Sequence, residues 1–429
     1  MRQELHGIRR AVARHARRAL ALGVLVAPLV ACDLDDLLEV EAPSQIPAEE
    51  LEKPESAPLL VNGAIADFEC ALGSFIVATA IFTDEFGDAQ LGAAGWPLDR
   101  RDVRSVDAWG VNGCASNQTP GIYVPTSTAR WAADNILSKL QQWTDAQVPK
   151  RDSLISISAS LAGYSYIQLG TAFCSAAVDV GPEMQPPELF AIAEQRFTTA
   201  LEAAGRAQNE ALRNLALVGR ARARLYLGKG AEAVADAEQV PDGFVYYATA
   251  AADQNRRYNR VYAVNNRSAF YRVEPSARQV LHMGHVDPRI GAVNTGRRAA
   301  DGDALWEQTK YPALDSPIPI ARWEEAQLII AEVEGGQRAV DIINTLHARA
   351  GLPTDFASTN EAEIRAHLIE ERRNELFLEG HRQYDFLRFN LPFDPPPGAP
   401  FPIKGGFYGD ARCLPLPDVE RVNNPNIGG

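Results

Sequence analysis

The sequence predicts a mainly α fold, in which tetratricopeptide-like helical repeats carry long irregular loop insertions. Three observations predict it. Small and large apolar residues recur at helical spacing in mid-chain, first as Ala193, Phe197, Ala200 and Leu201, then as Ala221, Leu225, Gly228, Ala233 and Ala237. Two stretches, 87–125 and 251–320, break that periodicity with Gly, Asn, Pro and aromatic residues. Past Asn390 the chain holds Pro392, Pro395, Pro396, Pro397, Pro400 and Pro402, a spacing through which no helix persists, because each proline removes a donor and clashes with the preceding turn.

The elements follow in chain order. Arg9, Arg10, Arg14, Arg17 and Arg18 precede the uncharged run Ala19–Ala31. A basic region followed by about a dozen apolar residues is the layout of a secretory signal, and the run is too short to span a bilayer, which takes about 20 residues. Residues 1–31 are therefore expected to be a signal peptide. The run ends Leu29-Val30-Ala31-Cys32, which resembles a bacterial lipobox, so Cys32 is expected to carry the lipid. Residues 32–57, with Asp33, Asp35, Asp36 and three prolines, read as an acidic extended tether. A single domain, 58–429, comes next. It opens on a helix near Pro58 whose apolar face is assigned to Leu59, Leu60, Ala64 and Phe68. A helix is expected at Thr126–Trp143, with Trp131, Ile136, Leu137 and Leu140 on one side. The repeat scaffold occupies about 126–250 and 321–390, with a third unit at Ala321–Ala350. The proline-rich end, 391–429, is an extended wrap.

Composition limits the function. The chain has 429 residues, 46% of them hydrophobic and 23% charged, enough for a sizeable core. A formal net charge of -13 argues against non-specific attraction to nucleic acid or anionic lipid. Beyond Cys32 there are Cys70, Cys114, Cys174 and Cys413; an even number in an exported protein favours one or two disulfides, with the pairing open. No CxxC or Cys/His cluster suggests zinc, and no HExxH is present. His282 and His285 read as a polar loop pair, and Gly228-Lys229-Gly230 as a helix–helix turn.

The C-terminal half carries a resemblance. Asp287-Pro288-Arg289-Ile290, Lys310-Tyr311-Pro312, Ala321-Arg322-Trp323-Glu324-Glu325, Ala331-Glu332 and Arg349-Ala350-Gly351-Leu352 occur in order. The strongest segment is Glu371-Arg372-x2-Glu375-Leu376-x2-Glu379-Gly380-x-Arg382-x2-Asp385-x2-Arg388. Leu414-Pro415-Leu416-Pro417 and Asn424-Pro425-Asn426 close the series. Together with the lipobox and the Leu60-Val61-Asn62-Gly63-Ala64 helix, these resemble the SusD/RagB family of nutrient-uptake lipoproteins. The resemblance implies a lipid-anchored protein at the outer membrane, facing the cell surface. Such a protein sits as a lid on a TonB-dependent (SusC-like) β-barrel, binds oligosaccharides or peptides and hands them on. It implies no cofactor and no chemistry of its own.

The residues can be weighed without that resemblance. Glu371, Glu375 and Glu379 are four apart, so they are expected to stack on one helical face. The acid and nucleophile of a glycosidase must flank a scissile bond, which such a stack cannot do. Alternation with Arg372, Arg382 and Arg388 predicts a structural ion network instead. Ligand contact is assigned to loop groups that offer flat rings and amides: Trp96, Trp109, Asn112, Asn117 and Tyr123. A tryptophan in a long loop can equally pin that loop to the core. Trp131, Trp143 and Trp323 are assigned to the core. A rival from another class is a lipid-anchored tetratricopeptide scaffold for envelope assembly, which would bind no small ligand.

Overall fold

A computed structural model describes residues 48–429 apart from positions 94, 117, 255, 279, 283, 403, 423, 428 and 429. The expected signal peptide, Cys32, the tether up to residue 47, and Asn117 lie outside the described residues. Residues Glu49–Gly429 form one folding unit. Within the segment expected to be extended, Ala48–Leu51 and Pro54–Ser56 make short helical turns.

Helix α1, Ala57–Phe82, starts with Pro58 in its first turn, where the missing N–H has no helical partner to lose. Its first half buries Ala57, Val61, Ala64 and Phe68, at spacings of four, three and four. Ala64 and Phe68 of the expected face are buried and Leu60 packs partly buried against the core, but Leu59 is 48% exposed and Val61 is buried instead. From Cys70 to Phe82 every residue is buried. By length and composition α1 could cross a membrane, but most of it lies inside the protein.

Helices α2 (Tyr123–Gln142), α3 (Arg151–Ala172), α4 (Pro186–Ala207), α5 (Glu210–Tyr226) and α6 (Gly230–Ala237) each pack on the next. Short links such as Gln208-Asn209 make neighbours antiparallel. Helix α2 begins three residues earlier than expected, because Pro125 falls in its first turn, where proline is tolerated. Gln185 and Glu188 form a reciprocal capping box on α4, and Asn209 accepts from Leu212 N (3.1 Å) on α5. The repeat's large residue, Phe197, is fully buried and meets Tyr164 edge-on at 4.8 Å. It enters a socket whose floor is Gly163 of α3 and Gly219 of α5: a Cβ at either would come within 2.8 Å and 2.2 Å of its ring.

After the second insertion, α7 (Trp323–Glu334) packs on α5, α6 and α8 (Gly336–Ala350), and α9 (Glu361–Glu375) packs on α7 and α8. Helix α10, Arg382–Arg388, returns to α1 and α3. Between α9 and α10 the chain turns at Gly380, with φ +83° and a would-be Cβ 3.0 Å from Phe75 of α1; both conditions demand glycine.

The two insertions meet through strands. β1 (Phe86–Asp88) pairs antiparallel with β3 (Tyr271–Val273), Phe86 opposite Val273. β2 (Val245–Ala248) pairs with β6 (Ile318–Arg322), and β4 (Ala292–Arg298) with β5 (Ala304–Gln308). The two disulfides are Cys70–Cys114, tying α1 to the first insertion, and Cys174–Cys413, tying the end of α3 to the wrap. The wrap is also held by Gly409 N to Arg100 O (2.6 Å), Leu414 N to Ala172 O (2.9 Å) and Asp418 N to Ser105 O (2.9 Å).

Candidate ligand-binding site

The loop residues assigned to ligand fall in different environments. Trp109 is 1% exposed and lies 6.0 Å from Phe173 in the core. Tyr123 is equally buried; its ring meets Phe173 edge-on at 5.1 Å, and its hydroxyl donates to Ala177 O and accepts from Ala177 N (3.3 and 3.2 Å). These two rings pin the insertion to the helices, so neither offers a face for stacking. Asn112 is half-buried and donates to Thr119 O (3.0 Å). Trp96 is half-buried, with the Arg100 and Lys404 cations each 5.8 Å from its ring. Lys404 Nζ binds Asp88 Oδ1 (2.9 Å), so the wrap closes over β1 beside Trp96.

The acidic motif is assembled differently from the expected stack. Helix α9 ends at Glu375, and Glu379 stands in the turn that follows, where Leu378 takes a left-handed φ of +55°. Glu371, Glu375 and Glu379 pair with cations from other elements, not with Arg372, Arg382 or Arg388. Arg289 donates to Asp287, Glu371 and Glu375; its contact to Glu375 Oε2 is 2.9 Å. Arg322 on β6 donates to Glu375, and to Glu379 Oε1 at 3.0 Å. Lys310 Nζ donates to Glu379 Oε1 (2.6 Å), and His347 Nε2 lies 2.9 Å from Glu371 Oε2. The physical reason is angular: a residue one step along a helix points about 100° away, so Arg372 cannot face the partners of Glu371. Arg372 and Arg388 instead bind Asp385, Arg388 also binds Glu332, and Arg382 binds Asp84 at 2.8 Å through both prongs. Burial pushes the Glu375 carboxyl up, but the Arg322 and Arg289 guanidiniums outweigh it and hold the group below the usual carboxylate range.

This network floors a cleft of about 390 Å³. Its walls include Phe244 and Tyr247 around β2, Thr309, and Glu324 and Arg349 of α7 and α8. Tyr247 is 44% exposed, whereas its neighbour Ala248 is buried. The cleft thus joins one open aromatic ring to a rim of hydrogen-bonding groups, within the size range of small-ligand sites. Tyr247 was missed in the sequence, where Val245-Tyr246-Tyr247-Ala248 is apolar or aromatic throughout and no alternation marks which ring stays open.

Trp131 needs correction as well. Assigned to the core, it is 54% exposed. The buried stripe of α2 runs Thr126, Ala129, Ala133, Ile136, Leu137 and Leu140, and Trp131, two residues past Ala129, points about 200° away from it. Trp323 is partly buried under Arg349, whose guanidinium is 4.6 Å from the ring, and Trp143 packs partly buried against the core.

Residues 308–411 match the family model for the SusD family. The fold is that of solved SusD-like structures. One, a SusD-like carbohydrate binding protein from Bacteroides vulgatus ATCC 8482, has a TM-score of 0.64 at 16% identity, covering 87% of this chain and 97% of that one. A SusD superfamily protein from Bacteroides thetaiotaomicron VPI-5482 has a TM-score of 0.64 at 16% identity, covering 88% and 99%. A laminarin binding SusD-like protein has a TM-score of 0.62 at 16% identity, covering 87% and 98%. No curated protein matches the chain.

Proposed function

Starting from a SusD-like chain, with the family's segment at 308–411 and the fold of its solved members, we propose that it is a cell-surface, lipid-anchored binding protein. It captures oligosaccharide, or peptide, and passes it to a TonB-dependent outer-membrane barrel. The observation that carries this reading is the likeness over 87% of the chain to a solved carbohydrate binding protein, reinforced by a laminarin binding relative. The Tyr247 cleft is the capture site: a sugar ring stacks on Tyr247 while Thr309, Glu324 and Arg349 bind its hydroxyls. Cys32 provides the anchor.

The protein does no chemistry on its ligand. A glycosidase acid must hold its proton near neutral pH, and a nucleophile must be free to attack. Glu371, Glu375 and Glu379 are each already engaged by a guanidinium, an ammonium or an imidazole, and Glu375 is held ionised.

The test is a mild-detergent pull-down of the tagged protein from its own outer membranes, read by mass spectrometry. A large TonB-dependent barrel recovered in near-equal amount supports the lid. Recovery of assembly factors without a barrel favours the scaffold reading.

A further inference from the structure

A second pocket lies away from the cleft and shares no residue with it. Along α2, Tyr123, Ser127 and Trp131 recur every fourth residue, so they form one stripe, with Thr128 beside it. The opposite wall is the turn Asp418–Arg421 of the wrap, which brings Val419 and Glu420. Asp418 N holds that turn to Ser105 O (2.9 Å), and Asn424 Nδ2 holds the following segment to Gly181 O (2.7 Å). The walls enclose about 270 Å³. Helix α2 is itself packed between α1 and α3, so the pocket stands on a rigid element.

We infer that this pocket is a binding subsite for a neutral saccharide, with the indole of Trp131 as its stacking platform; the inference rests on the glycan-capture reading above. A pyranose ring has an apolar C–H face and a belt of hydroxyls. Trp131, 54% exposed, offers a flat apolar face that the fold leaves uncovered. Ser127 and Thr128 bring hydroxyls, which both donate and accept, while the buried Tyr123 hydroxyl stays committed to Ala177. Glu420 brings a carboxylate whose contact with Asn424 Nδ2 is long (3.5 Å), and a carboxylate has about four lone-pair sites, so it has acceptor capacity for sugar hydroxyls. Among the described residues the lining contains no Lys, Arg or His to neutralise an acidic ligand, which selects neutral sugars over uronic acids, sulfated glycans and acidic peptides. Because the pocket's two walls come from opposite ends of the domain, the site exists only in the folded chain.

The experiment measures binding of the full chain in detergent to laminarihexaose, maltohexaose, xylohexaose and mannohexaose by calorimetry, for the parent, Trp131→Ala, Trp131→Phe and Tyr247→Ala. The exposure of Trp131 means that its alanine variant keeps the parent's melting temperature. Expected is binding of at least one hexaose, weakened ten-fold or more in Trp131→Ala and no more than a few-fold in Trp131→Phe. Unchanged affinity in Trp131→Ala, with loss confined to Tyr247→Ala, would overturn the subsite and leave glycan capture standing. No binding of any hexaose by the parent would overturn both. Unchanged affinity in Trp131→Ala together with loss of a co-purifying barrel would overturn the subsite in favour of protein docking.

Discussion

Arg372 and Asp385, thirteen residues apart and both buried, form a two-pronged pair: Nε and Nη2 each donate to a separate carboxylate oxygen at 3.1 Å. Asp385 also accepts from Arg388 at 2.8 and 2.9 Å. The pair locks α9 to α10 around the Gly380 turn. Removing one partner of a buried pair leaves the other charge uncompensated, at a cost of about 3–5 kcal/mol. Arg372→Met should therefore lower unfolding stability by that order in urea titration. A loss well under 1 kcal/mol would mean the pair does not hold the turn.

Acid should loosen this region. Burial pushes Asp385 and Glu375 up, but their arginine partners outweigh it, leaving both folded-state values depressed. A depressed carboxyl contributes stability that is complete above its unfolded value of about 4 and is lost as pH falls through the lower folded value. Thermal melts from pH 6 down to pH 3 should show stability falling below about pH 4.5; a flat profile there would refute the pairing.

Glu85 runs the other way. It is fully buried, accepts from Leu378 N (2.8 Å), and burial raises its carboxyl to about 7. A raised acid loses stability as pH climbs from its unfolded value of about 4.3 toward 7, because the unfolded chain ionises first. Glu85→Gln keeps an oxygen for Leu378 N and cannot ionise. It should be more stable than the parent at pH 8, by up to roughly 3 kcal/mol, with the gap closing by pH 5. Equal gaps at both pH values would count against a titrating Glu85.

Glu375→Gln separates structure from catalysis. With Arg289 and Arg322 facing a neutral amide, the expected result is a loss of about 3 kcal/mol or more of folding stability. A stable Glu375→Gln protein that had lost a hydrolytic activity of the parent would reverse that assignment.

The disulfides close loops of 44 and 239 residues. On a chain-entropy account these contribute about 4 and about 5 kcal/mol. Paired Cys174→Ser and Cys413→Ser changes should free the wrap, giving early protease cleavage within 391–429 while the helices stay protected. Unaltered resistance would show that the backbone ties alone hold it.

Much of the molecule is legible in the chain because its signals are local. Phe197 among small residues marks a repeat helix, the prolines after Asn390 forbid one, and the segment Glu371–Arg388 lies within the stretch that matches the SusD family model. Local spacing misled where neighbours come from afar. Trp131 is out of phase with Ile136, Leu137 and Leu140, and α1 and α3 cover the other side of α2. Glu379 continues the four-residue spacing of Glu371 and Glu375, yet α9 stops at Glu375. The cations that hold those carboxylates, Arg289, Lys310 and Arg322, come from the second insertion and the strand that closes it, and so were invisible to a reading along one helix. The sequence by itself determined the helical class and the repeats, since periodicity and backbone chemistry act over a few residues. Only the tertiary structure decided the cysteine pairing, the partners of each carboxylate and which aromatic rings stand open, because those depend on contacts between segments tens to hundreds of residues apart.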